Sequence, residues 1–188
     1  MILGLAGCGS STDSSGQPSQ PGTAVVTSAV AGAGTSPPSD GIPAQTAQSP
    51  APCGSGQVIV GAAVMSPGMG HRGVRLNFSV VQASSPCTLS GYPGVDSGSG
   101  GPLLHADRTL RGYLGGLPSG DDAIPTVVLD GSHSAQAVVE GVAFDSRGNG
   151  CPTYTDLHVT APNTTDTATV SAQIDTCQLQ IHPVTAPQ

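Results

Sequence analysis

Lysine and tryptophan are absent from the 188-residue sequence, and Glu140 is its only glutamate. The chain therefore has few of the straight-chain side chains that favour helices. Threonine, serine and valine are frequent instead, and 27 glycines and 17 prolines interrupt the sequence. These residues suit short strands and turns, and they disfavour long helices. The composition predicts an all-β fold.

Positive charge is also scarce. Five arginines stand against eleven aspartates and one glutamate, so the net charge is -7. A protein that binds nucleic acid needs clustered cations on its surface. Attraction to anionic lipid headgroups has the same requirement. We therefore expect no nucleic-acid partner and no electrostatic attachment to a membrane surface.

The chain begins with a short apolar stretch that ends in Leu5-Ala6-Gly7-Cys8. Residues 1–7 are typical of the end of a secretory signal, but no basic segment precedes them, so we expect the true start to lie upstream. The four residues resemble the bacterial lipobox at every position. This resemblance implies that the signal is cut before Cys8, and that the thiol of Cys8 carries diacylglycerol in a palmitate-bearing lipoprotein anchored to the membrane or envelope. A chance cysteine in an apolar leader is the alternative.

Residues 9–52 consist mainly of Gly, Ser, Thr, Pro, Ala and Gln, and Asp13 and Asp40 are their only charged residues. Such a composition cannot bury enough apolar surface to offset the loss of chain entropy. It predicts a disordered tether that spans roughly 35 to 40 Å as a coil. The predicted organisation is a partial signal peptide at 1–7, a lipidated cysteine and tether at 8–52, and a folded domain at 53–188.

Four cysteines lie in the predicted folded domain, at Cys53, Cys87, Cys151 and Cys177. An even number in an exported chain indicates two disulfides, for which three connectivities exist. We favour local pairing, which joins Cys53 to Cys87 and Cys151 to Cys177. Each bond is expected to stabilise the fold by about 3 kcal/mol. Zinc binding is the alternative, but no two of these cysteines lie within four residues of each other. We therefore expect neither a metal nor a cofactor.

Alternation of apolar and polar residues marks half-buried strands at 74–80, 168–174 and 179–181. Weaker strand signals, separated by turn residues, lie at 57–65, 125–129, 134–142 and 157–160. Seven to nine short strands in one domain are typical of a two-sheet sandwich, and we expect immunoglobulin-like architecture without the central tryptophan.

The segment Cys87-Thr88-Leu89-Ser90-Gly91-Tyr92-Pro93-Gly94-Val95 carries a family resemblance. Together with Cys53, Cys151-Pro152 and the final Cys177, it resembles an actinobacterial exported domain catalogued only as a domain of unknown function. The resemblance covers most of residues 53–185. It implies a β-sandwich found on secreted proteins and lipoproteins, and it supplies no catalytic residue.

Within that segment, Gly91 and Gly94 bracket Tyr92 and Pro93. Two glycines around an aromatic residue and a proline, directly after a disulfide cysteine, predict a tight and fixed turn. We expect Tyr92 to cover the edge of the core and to present its hydroxyl to the backbone. These four residues form a predicted structural motif, with no ligand assigned to them.

Three fragments resemble parts of known sites but lack the remainder. Asp96-Ser97-Gly98 matches the aspartic-protease tripeptide, whose chemistry needs a second copy. Residues 145–156 fit an EF-hand frame only in part, because Arg147 stands at a ligand position. Ser132-His133-Ser134 has no nucleophile elbow around it. We interpret all three as turns or loops.

The five histidines are scattered singly, without the spacing that places two imidazoles on one metal. Most are expected to be solvated or to lie on edge strands. His158 and His182 both fall in late strands, and their rings would share a face if those strands were neighbours.

Two functional hypotheses follow from these observations. The first is a lipid-anchored envelope module that is not an enzyme and that binds an unidentified envelope protein or ligand. The second is an envelope hydrolase or metal-handling protein whose site is assembled from distant Asp, His and Tyr residues. Three or more of those side chains meeting in one cleft, the tyrosines being Tyr92, Tyr113 and Tyr154, would favour the second.

Overall fold

A computed structural model describes residues 49–188. The predictions for the partial signal peptide, for Cys8 and for nearly all of the tether fall on residues 1–48, outside the described residues. In the described part the protein is built from strands and turns, with no helix. No membrane-crossing helix occurs in that part of the chain.

Ten strands follow one another along the chain. Their bounds are β1 (Val58–Val64), β2 (His71–Val80), β3 (Cys87–Ser90), β4 (Gly94–Ser97), β5 (Asp107–Arg108), β6 (Thr126–Leu129), β7 (Ala135–Val142), β8 (Thr153–Thr160), β9 (Thr167–Asp175) and β10 (Leu179–Ile181). All seven segments with strand signals in the sequence form strands. The sequence patterns did not indicate β3, β4 and β5, which have only two to four residues each.

The strands form the two layers of a sandwich. One layer is a five-stranded sheet in the order β1-β2-β7-β10-β5, and the other contains the pair β3-β6 and the three-stranded sheet β4-β8-β9. Neighbouring strands are antiparallel except β10 and β5, which run parallel. The predicted all-β sandwich is confirmed.

One continuous core lies between the layers. On β2 the apolar residues Val74, Leu76 and Phe78 are buried, while Arg75 and Asn77 between them are exposed. The same period of two runs through β8, β9 and β10, because side chains alternate between the faces of a strand. On β7 both faces are buried from Ala137 to Gly141. The largest fully buried apolar side chains are Tyr154, Phe78, Leu76, Leu89, Leu129, Leu157, Ile174, Leu179 and Ile181.

Gly91 separates β3 from β4 and has a φ of 104°, a left-handed conformation that glycine adopts without strain. At this point the chain stops pairing with β6 and begins to pair with β8. Asp96 and Ser97, which we expected in a loop, therefore belong to strand β4. That prediction was wrong because four residues are too few to show a clear alternation.

The two disulfides join Cys53 to Cys87 and Cys151 to Cys177, with Cα atoms 4.8 Å and 5.0 Å apart. The favoured pairing is confirmed. The second bond closes the base of the β8–β9 hairpin, where Thr176 N–H donates to the Pro152 carbonyl. Structural disulfides persist in oxidising compartments outside the cytoplasm, so this domain suits an extracytoplasmic location.

The chain enters the sandwich beside β3. Thr88 N–H donates to the carbonyl of Ala51, and Cys53 N–H donates to the carbonyl of Thr88, both at 2.9 Å. Ala51 and Pro52, the last residues of the predicted tether, thus lie along one edge of β3. The Cys53–Cys87 bond holds the same junction covalently.

Candidate functional site

Residues 109–117, named here the covering loop, lie over the outer face of the five-stranded sheet. The loop passes so close to that sheet that two positions require glycine. A Cβ at Gly115 would lie 2.6 Å from Cβ of Val138, and one at Gly112 would lie 2.5 Å from the ring of His182. The glycines thus allow the loop to bury Val138 and Glu140, which would otherwise face solvent on β7.

Glu140 is the central polar group beneath the covering loop, and it is 3% exposed. Its Oε1 accepts the backbone N–H of Tyr113 at 3.1 Å, and its Oε2 accepts that of Leu114 at 2.9 Å. Nε2 of His182 lies 3.2 Å from Oε2, and Nδ1 of His71 lies 2.6 Å from Oε1. Each carboxylate oxygen therefore has two polar neighbours.

His182 is fully buried and connects Glu140 to the start of the covering loop. Its Nδ1 lies 3.1 Å from the hydroxyl of Thr109 and 3.1 Å from the carbonyl oxygen of the same residue. Thr109 N–H in turn donates to the carbonyl of Ile181 at 3.0 Å. The imidazole thus has polar partners on both ring nitrogens, as a buried histidine requires.

His71 forms the partly exposed side of this group, which we name the Glu140 cluster (His71, Thr109, Tyr113, Glu140 and His182). Its ring stacks on that of Tyr113, with centroids 4.5 Å apart and planes 18° from parallel. Although His71 Nδ1 is close to Glu140, its direction is poor for a hydrogen bond, and no other acceptor contacts it in the described residues.

Two opposing effects set the pKa of Glu140. Burial alone would raise the pKa, because it penalises the charged form. The N–H of Leu114, His182, the N–H of Tyr113 and His71 all favour that charged form, and together they hold the pKa of Glu140 below its ordinary value. The carboxylate is therefore ionised at neutral pH, and it attaches the covering loop to β7 and β10.

The cavity beside the Glu140 cluster has a volume of about 80 Å³ and is lined by His71, Glu140, Gly141, Val142, Gln178 and Gln180. Three of the side chains named in the hydrolase or metal-handling hypothesis, His71, Tyr113 and His182, do meet around Glu140. However, small-molecule sites usually have volumes of about 300 to 1,000 Å³. The cavity has space for a few water molecules only.

A much larger groove runs along β6, with a volume of about 660 Å³. We name it the β6 groove. Its lining comes from β6, from the turn between β6 and β7 and from the C-terminal segment, and consists of Pro125, Thr126, Val127, Val128, Asp130, Ser132, His133, Ser134, Ala186 and Pro187. Most of these side chains are small, and apolar ones lie beside hydroxyls.

One edge of β6 is unpaired where it borders this groove. In an antiparallel pair, the backbone groups of opposed residues point either toward each other or apart. Thr88, which opposes Val128, directs its N–H and carbonyl to Ala51 and Cys53, away from β6. The N–H and carbonyl of Val128 therefore point away from β3, and they have no hydrogen-bond partner within residues 49–188.

The polar end of the β6 groove is a turn organised by Asp130. Its Oδ1 accepts the N–H of Ser132 at 2.7 Å and that of His133 at 2.8 Å, and Nδ1 of His133 lies 2.9 Å away. The N–H of Ser132, then the His133 side chain and the N–H of His133, lower the pKa of Asp130 to about 2. The surface turn predicted for Ser132-His133-Ser134 is confirmed, and in it no serine hydroxyl is hydrogen-bonded to His133.

Residues 53–185 match the family model described as Domain of unknown function (DUF4232). The chain belongs to this family. No curated protein and no solved structure matches the chain. The DUF4232 domain includes all ten strands, both disulfides and the whole Glu140 cluster. Only Ala186 and Pro187 of the β6 groove lie beyond it.

The structure separates His158 from His182 within the DUF4232 domain. His158 lies on β8 and its Nδ1 is 3.1 Å from the Thr169 hydroxyl, whereas His182 follows β10 in the other layer. The condition for their rings to share a face is not met, because β8 and β10 are not neighbours. Of the remaining histidines, His105 contacts Asp96 at 2.6 Å in an exposed pair.

The EF-hand-like segment forms a turn followed by a strand. Asp145 Oδ1 accepts the N–H groups of Arg147 and Asn149, both at 2.8 Å, and Asp156 belongs to β8. Within the part of the chain that the structure describes, no three His, Cys, Asp or Glu side chains have the arrangement of a metal site.

The glycine-bracketed motif lies at the corner between β3 and β4. The Gly91 carbonyl accepts the N–H of Val184 at 2.9 Å, and Pro93 is buried. Tyr92 is half-buried, with the Arg108 guanidinium 6.0 Å from its ring centroid. Contrary to expectation, the Tyr92 hydroxyl has no hydrogen bond to the backbone within residues 49–188. The tyrosine that makes such a bond is the buried Tyr154, which donates to the Pro102 carbonyl at 2.7 Å.

Sequence reasoning missed the Glu140 cluster, although one signal was present. Glu140 is a lone charged residue inside the apolar strand β7, between Val139 and Gly141. A charged side chain in such a run is almost never fully buried unless it is paired. The sequence gives no indication of its partners, because they come from β2, the covering loop and the residue after β10.

Proposed function

We propose that this protein is an extracytoplasmic binding module without catalytic function, held at the membrane by a lipid on Cys8. Two features support the location. The Leu5-Ala6-Gly7-Cys8 segment resembles a lipobox, and the DUF4232 domain contains two disulfides. In this proposal the tether carries the domain away from the lipid headgroups, toward a partner in the envelope.

The β6 groove is the proposed ligand site, and one observation carries this assignment. The groove combines a volume of about 660 Å³ with an unpaired strand edge along its wall. An unpaired edge offers N–H and carbonyl groups that another extended chain can satisfy. The Glu140 cavity, in contrast, is about 80 Å³ and its carboxylate oxygens are already occupied.

The chemistry of the groove favours an extended peptide segment that is neutral or basic and has small apolar side chains. Such a segment would add a strand to β6 by hydrogen bonds with Val128 and, two residues away, Thr126. The side chain of Val128 is exposed for contact with it. Asp130 remains ionised at one end of the groove, and the chain has a net charge of -7, so acidic segments are disfavoured.

A hydrolase or metal-handling function is the second candidate. It is favoured by the meeting of His71, Tyr113 and His182 around Glu140. The small cavity and the full set of contacts on the carboxylate argue for a structural role of this cluster instead. A Glu140→Gln variant that stays folded but loses an activity detected in the wild type would support the second candidate.

The peptide proposal is tested with a library of displayed 12-residue peptides, selected on the full chain. Val128→Pro removes the N–H that points into the groove and leaves the pairing with β3 intact. Val128→Thr keeps that N–H and the branched shape, so it is the matched control. We expect selected peptides to bind the wild type and Val128→Thr, and to lose at least about tenfold in affinity for Val128→Pro. Equal binding to all three would reject the β6 groove as the site.

The anchor is tested separately. Cys8→Ala should move the exported protein from the membrane fraction to the soluble fraction, because a lipid chain supplies the membrane affinity. Mass spectrometry should detect the lipid on the wild type alone. A wild-type protein without lipid, or a variant that stays membrane-bound in high salt, would contradict the anchor.

A further inference from the structure

Strand β1 is the outer strand of the five-stranded sheet, and the backbone groups along its outer edge have no hydrogen-bond partner among the described residues. We propose that two copies of this protein pair through β1, antiparallel and edge to edge, about a two-fold axis that passes beside Gly61. This surface is distinct from the β6 groove. The pairing joins the two five-stranded sheets into one continuous sheet.

The direction of the backbone groups of β1 follows from its hydrogen bonds to β2. Met65 N–H donates to the carbonyl of Gly73, and Val81 N–H donates to the carbonyl of Gln57, both at 2.9 Å. Because this ladder alternates, the odd-numbered residues of β1 direct their backbone groups toward β2. Those of Val58, Val60, Ala62 and Val64 point outward, and they have no hydrogen-bond partner within residues 49–188.

Apart from β6, whose edge borders the β6 groove, the other outer edges of the described sheets are blunted. β5 has only two residues, and both are charged. The long strand β9 begins after Asp166 and ends in Asp175. Charges, proline and short length are the usual protection of an edge against pairing.

β1 has none of these protections. Its seven residues, VIVGAAV, include no charge and no proline, and they pair with β2 in an unbroken register. Ile59 is 51% exposed and Val64 is 60% exposed. A long, regular and apolar edge of this kind is a template for another strand.

The occupant is a second copy because β1 is complementary to itself. When Gly61 opposes Gly61 of the second copy, Val58 opposes Val64 and Val60 opposes Ala62. All residues whose backbone groups point outward then meet one another, which gives about eight main-chain hydrogen bonds. The small residues Gly61, Ala62 and Ala63 leave the centre of this pairing without steric conflict.

The edge itself adds no charge repulsion between two copies. Two chains of net charge -7 repel each other over most of their surface, and β1 is a stretch without carboxylates. Asp166, which lies before β9, accepts the N–H of Gly56 and lines a small pocket with Val58 and Val60 at the start of β1. On the outer face the neighbouring charge is Arg75, opposite Ala63.

Cysteine cross-linking tests the register on the full chain in a Cys8→Ser background, which removes the one competing thiol. At Gly61 an added Cβ meets no atom within 4 Å, so Gly61→Cys fits the single copy. In the proposed pair the two Cα atoms at position 61 lie about 4.5 Å apart, within disulfide range. Ala63→Cys is the matched control, because its two Cα atoms lie about 14 Å apart.

We expect Gly61→Cys to give a covalent dimer on a non-reducing gel under mild oxidation, and Ala63→Cys to remain monomeric. Dimers from both variants would reject this register, and dimers from neither would reject the pairing. A Val128→Pro change in the same background should leave the cross-link unchanged, so a failure of the groove proposal is distinguishable from a failure of this one.

A charge exchange tests the same pairing without new cysteines. Gly61→Lys and Gly61→Asp each place two like charges opposite each other at the two-fold axis. In sedimentation experiments each variant alone should dimerise about tenfold more weakly than the wild type. An equimolar mixture of the two should recover the dimer. A wild-type chain that is monomeric at every concentration, or a mixture without recovery, would overturn the proposal.

Discussion

Glu140 and Asp130 make similar contacts in very different surroundings. Each carboxylate accepts two backbone N–H groups and lies beside a histidine. Glu140 and His182 are buried, whereas the His133 side chain is 71% exposed. The partners of Glu140 come from β2, the covering loop and the end of β10, but those of Asp130 lie within three residues of it. The first arrangement therefore joins distant segments, and the second shapes one turn.

Burial also determines how much each arrangement matters to stability. A polar group removed from water costs free energy unless its partners are present, so breaking a buried network leaves groups unsatisfied. An exposed pair loses little when it is broken, because water replaces the missing partner. We therefore assign the Glu140 cluster to the scaffold of the domain and the Asp130 turn to the shape of the β6 groove.

The largest expected effect comes from Glu140→Ala. This change leaves the N–H groups of Tyr113 and Leu114 and the ring of His182 without their acceptor. It should lower the free energy of unfolding by about 3 to 5 kcal/mol, measured by urea denaturation at pH 7. Glu140→Gln keeps one acceptor oxygen and should cost less. A loss below about 1 kcal/mol for the alanine variant would contradict the scaffold role.

Removal of the two histidines sharpens the comparison. His182→Ala should cost about 2 to 3 kcal/mol, because it leaves a cavity and an unsatisfied contact on Glu140. His133→Ala should leave the urea midpoint unchanged within error. Equal shifts of the urea midpoint for both substitutions would contradict the claim that burial makes His182 more important to stability than His133.

The pH dependence of stability should also differ. The pKa of Glu140 is lower in the folded protein than its ordinary 4.5. Its ionisation therefore stabilises the fold above pH 4.5, and this contribution is lost as the pH falls through the folded-state value. The difference in unfolding free energy between the wild type and Glu140→Gln should shrink across that range. A constant difference from pH 7 to pH 3 would contradict the lowered pKa.

Asp130 should remain ionised to lower pH than an ordinary aspartate. Its pKa is about 2 against an ordinary 3.8, because Ser132 and His133 donate to it. The carboxyl carbon of Asp130, followed by NMR from pH 5 downward, should titrate with a midpoint near that value. A midpoint at or above 3.8 would show that the turn does not form as described.

The smallest effect is expected from Asp130→Asn. The amide oxygen still accepts one N–H, so the melting temperature should change less than with any substitution in the Glu140 cluster. The amide protons of Ser132 and His133 should exchange faster with solvent, because their acceptor is weaker. Unchanged exchange of these two amides would contradict the role of Asp130 in the turn.

The sequence predicted the features that depend on local patterns. Alternation located β2, β9 and β10, and the even number of cysteines predicted both disulfides. The covering loop was not predictable, because a glycine-rich segment has no periodicity and its path depends on the sheet beneath it. The partners of Glu140 and the free edges of β1 and β6 were not predictable for a related reason. They depend on the order of strands in the sheets, which no short segment determines.

The most direct test of the account compares peptide binding by two folded variants. Binding is assigned to the β6 groove, and stability to the Glu140 cluster. Peptides selected on the wild-type chain should therefore bind Glu140→Gln with unchanged affinity and should lose at least about tenfold in affinity for Val128→Pro. Loss of binding in a folded Glu140→Gln variant, together with full binding by Val128→Pro, would contradict the account.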